Sequence, residues 1–113
     1  MTQTSLEALT RQADDTLVVE LRGDIDGDAR EALGAAYDVA GPGVPVLLDF
    51  GGVGYINSTG IAVIVGVLAR ARADARPVSA MGLSAHYREI FEVTRLSDFL
   101  TILPPTDEPG AAT

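Results

Sequence analysis

The sequence predicts an α/β layered fold: a mostly parallel four- to five-stranded sheet with helices, in the order β-β-α-β-α-β-α-β. Three observations carry this. "TLVVELRG" alternates as a strand does, "VPVLLDF" is short, almost wholly apolar and bounded by turn residues, and stretches of helical period follow both. Strands that alternate with helices favour a parallel sheet, because a parallel pair needs a crossover connection.

The elements follow in order. Leu6 to Arg11 alternates weakly and suits an edge strand, and Asp14 and Asp15 mark a turn. Thr16 to Gly23 sets Leu17, Val19 and Leu21 against Val18, Glu20 and Arg22. "DIDGD" breaks that pattern with acids suited to a helix start. Asp28 to Ala40 reads as a helix with Ala29, Leu33, Ala36, Tyr37 and Ala40 on one stripe, and "GPG" stops it. Val44 to Phe50 has the composition of a strand buried on both faces. A helix is expected from Ser58 to Ala73, a strand from Arg76 to Leu83, and a helix capped by Ser84 over "AHYREIFEVTRL". "SDFLTILP" closes the fold as a last strand. Residues 1–104 form one domain in this reading, and the Pro-rich 105–113 a disordered tail.

At 113 residues and 47% hydrophobic, the chain has the size and composition of a single globular domain with a real core. It has no cysteine, which excludes disulfides, thiolate metal sites and cysteine nucleophiles. The first fifteen residues lack the basic start and apolar block of a secretory signal. The apolar run Gly60 to Ala69 falls short of a membrane span, so a cytoplasmic location is expected. The net charge is −8, with eight arginines and no lysine. Such a balance argues against nucleic acid and anionic membranes and suits either solubility alone or a partner with a basic face.

Chemistry gathers at "YINSTGI", residues Tyr55 to Ile61, between a buried strand and an apolar helix. One of Asn57, Ser58 and Thr59 serves as the helix N-cap; the others have no structural need to be polar. The free N–H groups and the dipole make a helix start receptive to an anion, bound or covalently attached to a hydroxyl. On a helical wheel Ile61, Ile64, Val65 and Leu68 share one face, assigned to the sheet. Val63, Gly66, Val67 and Arg70 fall opposite, and the two valines read as an apolar docking surface unless another element covers them. Gly60 would let a partner approach. From the residues alone, a capped helix with no further role stays open.

"LRGDIDGD", "LLDFGGVGYINSTGIAVIVGVLARAR" and "LSDFLTI" together resemble the STAS domain family, the single-domain anti-sigma factor antagonists of bacteria, over about Leu6 to Leu103. The resemblance implies a STAS-like fold and a phosphorylation switch. Thr59, with Ser58 beside it, would be phosphorylated by an anti-sigma factor with serine/threonine kinase activity. The unmodified protein would bind that kinase, the modified one would release it, and a protein phosphatase would reset the cycle. Asp26 is placed by the resemblance near the partner surface beside Asn57, Ser58, Thr59 and Gly60. Two letters depart from the family pattern. Asn57 stands where an aspartate is usual, keeping the cap but removing a carboxylate. Arg95 stands where a glycine is common, at a cost on the order of 1 kcal/mol if its backbone is left-handed.

The remaining candidates are weaker. His86 has no second ligand or catalytic partner nearby in sequence. Asp24, Asp26 and Asp28 lack the glycine and distal glutamate of a calcium loop. Arg70, Arg72 and Arg76 read as a solvated patch at a helix C-terminus. "GGVG" lacks the Lys-Ser/Thr of a P-loop, and no serine has a His-Asp pair. No cofactor, metal site or catalytic residue is expected, and the chain reads as a binding module. A STAS scaffold or transport-associated domain that is not phosphorylated is the alternative, and a small phosphate-binding enzyme stands behind it.

Overall fold

The computed structural model describes residues 6–104. The expected tail, 105–113, lies outside the described residues. Five strands form one sheet in the order β1-β2-β3-β4-β5: β1 (Glu7–Ala13), β2 (Thr16–Ile25), β3 (Val46–Ile56), β4 (Val78–Met81) and β5 (Thr101–Ile102). Only β1 runs antiparallel to its neighbour; the other pairs are parallel. The parallel crossovers carry α1 (Ala29–Tyr37), α2 (Ser58–Ala73) and α3 (Ala85–Val93), the last followed by a 3-10 turn at Leu96–Asp98. The element order and the mostly parallel sheet match the expectation.

The sheet is covered on one face. Leu17, Val19 and Leu21 of β2, Leu48 and Phe50 of β3 and Ala80 of β4 share one core with the buried residues of all three helices. The alternate residues lie on the opposite side of the pleat, where Val18 is buried and Glu20, Leu47, Asp49, Ser79 and Met81 are only half-buried. The expectation that Val44 to Phe50 is buried on both faces therefore fails. The apolar look of "VPVLLDF" comes from Leu47, which faces away from the helices.

Strand β3 also runs six residues beyond its expected end at Phe50. Its "GGVGYI" pairs with the end of β2 through two register shifts, between Glu20 and Arg22 and between Gly23 and Asp24. A Cβ at Gly52 would lie 2.9 Å from the Leu21 carbonyl oxygen, so glycine here marks a close strand approach at a bulge rather than a loop. Helix α3 ends at Val93, short of the expected Leu96, because Arg95 turns left-handed with φ 68°. The conditional cost attached to that residue applies.

Helix α1 stops at Tyr37 for a reason the sequence concealed. Arg76 is not part of a solvated patch: it is 4% exposed and inserts beneath the α1 C-terminus. Its guanidinium donates to the carbonyls of Val44 (2.8 Å), Tyr37 (2.8 Å) and Ala40 (3.1 Å), and lies 4.2 Å from the Tyr37 ring centroid. Tyr37 closes α1, Ala40 lies in the turn after it and Val44 just before β3; a buried charged donor satisfies carbonyls that no ladder or helix pairs. The Tyr37 hydroxyl in turn donates to Asp74 at 2.8 Å, which ties α1 to the end of α2. Burial first, then the Asp74 carboxylate, push the Tyr37 phenol above its ordinary range. Arg70 and Arg72 stay exposed, as expected, with Arg70 paired to Asp38.

Replacing Arg76 with methionine keeps most of the volume and leaves buried carbonyls unpaired. We expect a loss of about 3 kcal/mol in urea unfolding; a change within 0.5 kcal/mol, the ordinary range for surface substitutions, would contradict the buried cap. The Tyr37 shift has a sign of its own. The folded phenol holds its proton more tightly than the unfolded one. Its contribution is complete below the unfolded value near pH 10 and is lost as pH rises through the folded value. A Tyr37→Phe variant should lose less stability than the parent on going from pH 9 to pH 11, measured by thermal melts.

Candidate functional site

The polar junction sits where β2 and β3 end side by side. Ile25 lies opposite Ile56 in the parallel register, so the segments that follow both strands emerge on the same rim of the sheet. Open α/β sheets place their sites at the carboxyl ends of strands for this reason.

The chain is drawn together there by backbone contacts. The Asn57 N–H donates to the Ile25 carbonyl at 3.2 Å. Gly60, in the first turn of α2, is buried against that same carbonyl: a Cβ on it would sit 2.0 Å from the oxygen. No side chain fits. The glycine thus serves an internal contact between α2 and β2, a role that the sequence reading does not assign to Gly60.

Asn57 is the N-cap of α2. Its Oδ1 accepts from the Gly60 N–H at 2.8 Å and from the Thr59 hydroxyl, also at 2.8 Å. Ser58 and Thr59 are both exposed, but only the Thr59 hydroxyl is held by a side chain among the described residues. The β2–α1 loop passes beside it: a Cβ on Gly27 would be 3.7 Å from the Thr59 Cβ and Oγ1. Asp26 opens that loop. Its Oδ1 accepts from the Asp28 N–H at 2.9 Å, and its carbonyl from the Ala29 N–H at 3.0 Å, which closes the turn into α1. Asp26, Asn57, Ser58, Thr59 and Gly60 are thus brought together on one rim.

Val63 and Val67 are not. They are 2% and 7% exposed and belong to the core stripe of α2 with Gly60, Ile64, Leu68 and Ala71. The buried face lies about one residue out of phase with the face the wheel assigns to the sheet, and Val65 turns outward. A helix apolar nearly all round gives the wheel little contrast to choose a face by. The outward surface of α2 is Ala62, Val65, Gly66 and Ala69, all exposed.

Two features escaped the sequence reading. The Tyr87 hydroxyl accepts from the Ile56 N–H at 2.9 Å, so α3 braces the last residue of β3 just before the site. An apolar groove of about 360 Å³ also lies between α2 and the 3-10 turn, with Val65, Ala69, Leu96 and Phe99 among its walls. Arg72 stands 5.4 Å from the Phe99 ring centroid at its side. Exposed Val65 and Phe99 were the available signal, but nothing in the local sequence brings two residues so far apart together. Asp24, Asp26 and Asp28 form no metal-binding group, and neither do other acids among the described residues. None of the described helices is long and apolar enough to cross a membrane.

Comparison with known proteins agrees with this geometry. The sequence matches the family described as "Mlab, STAS domain" over residues 8–104. It is 32% identical over 102 residues to a Listeria monocytogenes protein named anti-sigma-B factor antagonist, with 87% of each chain covered. Among solved structures it is similar to an anti-sigma factor antagonist from Mycobacterium paratuberculosis, with a TM-score of 0.67, 22% identity and coverage of 96% and 93%. It is similar also to the Bacillus cell fate determinant SpoIIAA in the phosphorylated form, with a TM-score of 0.59, 18% identity and coverage of 86% and 91%. With a rim built from the ends of two parallel strands, a glycine-locked helix start and a family match that spans nearly every described residue, the chain belongs to the STAS domain family.

Proposed function

We propose that this protein is an anti-sigma factor antagonist that binds an anti-sigma factor with serine/threonine kinase activity and is switched off by phosphorylation at Thr59. The observation that carries this reading is the Thr59 hydroxyl, exposed in the first turn of α2, held at 2.8 Å by Asn57 and flanked by the Asp26 loop. The relative named anti-sigma-B factor antagonist supports the role, and a fold relative described in its phosphorylated form supports the chemistry.

In the transfer step the Thr59 Oγ1 forms a bond to the γ-phosphorus of ATP as the bond to the β-γ bridging oxygen breaks, and ADP leaves. The hydroxyl proton must go to a base. Asn57 orients the hydroxyl but its amide takes no proton, so the base belongs to the kinase. The product adds nearly two negative charges at the N-terminal end of the α2 dipole, where the fold tolerates them. Ser58, exposed and next in line, is the secondary acceptor. Hydrolysis by a protein phosphatase restores the hydroxyl.

The docking surface is revised from the buried valines to the outward side of α2. Val65 lies six residues beyond Thr59, about 9 Å along the helix axis. A partner seated on Ala62, Val65, Gly66 and Ala69 and reaching the Asp26 loop has to cover Thr59 as well. Burying a dianion under such a contact is costly, so phosphorylation breaks the dock and spares the fold.

Incubation with the cognate kinase and ATP, read by mass spectrometry, should place phosphate on Thr59 and leave Thr59→Val unmodified there. No phosphate on Thr59 or Ser58, with a kinase active on another substrate, would overturn the switch and favour an unphosphorylated scaffold. A Thr59→Asp variant should bind the kinase at least about tenfold more weakly, and Val65→Asp likewise, since 1.4 kcal/mol suffices for that factor. Wild-type affinity in both would sink the docking geometry.

A further inference from the structure

Strand β1 ends the sheet, and among the described residues nothing pairs with its outer edge. Seven residues keep an unbroken register with β2, without proline, lysine or a bulge. Those are among the devices that keep an edge from pairing with another chain, and without them Glu7 and Arg11 are the charges that select which strand the open row of backbone donors and acceptors can take.

The side chains along this edge show which strand fits. Glu7, Leu9 and Arg11 lie opposite Arg22, Glu20 and Val18 of β2, so all three project on the helix-free face. All three are exposed, Leu9 at 38%. Glu7 and Arg11 have no ionic partner among the described residues. Now let a second β1 run antiparallel beside the first with Leu9 facing Leu9. Glu7 then falls opposite the Arg11 of the other copy, and by symmetry this happens twice. Shifting the register by two residues in one direction sets Leu9 against Arg11 and Glu7 against Ala13. Shifting it two in the other leaves Arg11 without an opposite residue in the strand. The charges and the apolar residue match in one register only.

We propose that β1 is a self-association edge, and that its occupant is a second copy of this chain paired antiparallel about a two-fold axis at Leu9. The two sheets join into one, with both helix-free faces on the same side. Directly opposed side chains sit about 5 Å apart, close enough for the Leu9 pair to touch and for each Glu7–Arg11 pair to form an ion pair. The rim holding Thr59 lies at the ends of β2 and β3 and is not part of this surface. The inference does not depend on the switch.

Sedimentation velocity at about 0.15 M salt tests it, because there the repulsion between two chains of charge −8 is screened beyond about 8 Å while apposed pairs are not. The expected result is a monomer–dimer equilibrium that shifts with concentration. Glu7→Arg alone or Arg11→Glu alone sets like charges opposite each other at two places and should raise the dissociation constant about tenfold or more. The double variant Glu7→Arg/Arg11→Glu exchanges the signs and should return it to within about threefold of wild type. Both positions are exposed, and circular dichroism confirms that each variant is folded. A chain monomeric up to about 1 mM overturns the proposal. So does a dimer indifferent to the single exchanges, or a folded double variant that associates no better than the singles.

Discussion

One close contact organises the functional end of this molecule: the backbone of Gly60 lying against the carbonyl of Ile25. With 2.0 Å between that oxygen and any Cβ at position 60, α2 can start there only because the side chain is missing. The helix N-terminus is thereby held against the end of β2 instead of standing off behind β3. Everything chemical at the site follows from that placement. Asn57 must leave the strand and cap within a single residue, Ser58 and Thr59 occupy the exposed first turn, and the loop that follows Asp26 passes beside Thr59. The exposed hydroxyl is therefore held within a rigid frame. In the function proposed above, a charge added to it would change what the rim presents to a partner without loosening what lies beneath.

A second constraint is the one-sided sheet. Because every helix contributes to a single core on one face, the other face is left as a mixed surface of Glu20, Leu47, Asp49, Ser79 and Met81. The residues of β1 inherit that division. Ala8 packs toward the core, while Glu7, Leu9 and Arg11 are directed to the open side at an unpaired edge. The rim that carries Thr59 and the edge are thus separate consequences of one topology. The rim comes from parallel strands ending together, the edge from the single antiparallel strand that closes the order.

Much of the architecture was legible beforehand. The alternation in β2, the capping serine before α3 and the polar doorway before α2 are local signals, and local signals survive folding when the tertiary structure agrees with them. That a cap lies within Asn57 to Thr59 was readable for the same reason, while its assignment to Asn57 came from the structure. The burial of Val63 and Val67 was not readable. In "IAVIVGVLARAR" almost every position is apolar or small, so the buried face is chosen by what packs against α2 rather than by any contrast along it. Arg76 was misread for a related reason. Its composition signal is that of a surface cation, and only the convergence of three carbonyls between the end of α1 and the start of β3 makes it a buried residue.

By itself, then, the sequence determined the element order, the cap of α3, the mostly parallel sheet and the stretch that carries the site, because hydrophobic period and turn chemistry act over a few residues. The tertiary structure alone decided which face of α2 is buried, why Gly60 must be glycine, where Arg76 goes and which strand edge stays open. Each of those depends on a backbone atom or a helix brought from elsewhere in the chain. No local pattern encodes the position of a carbonyl 35 residues away in sequence, such as that of Ile25 beneath Gly60.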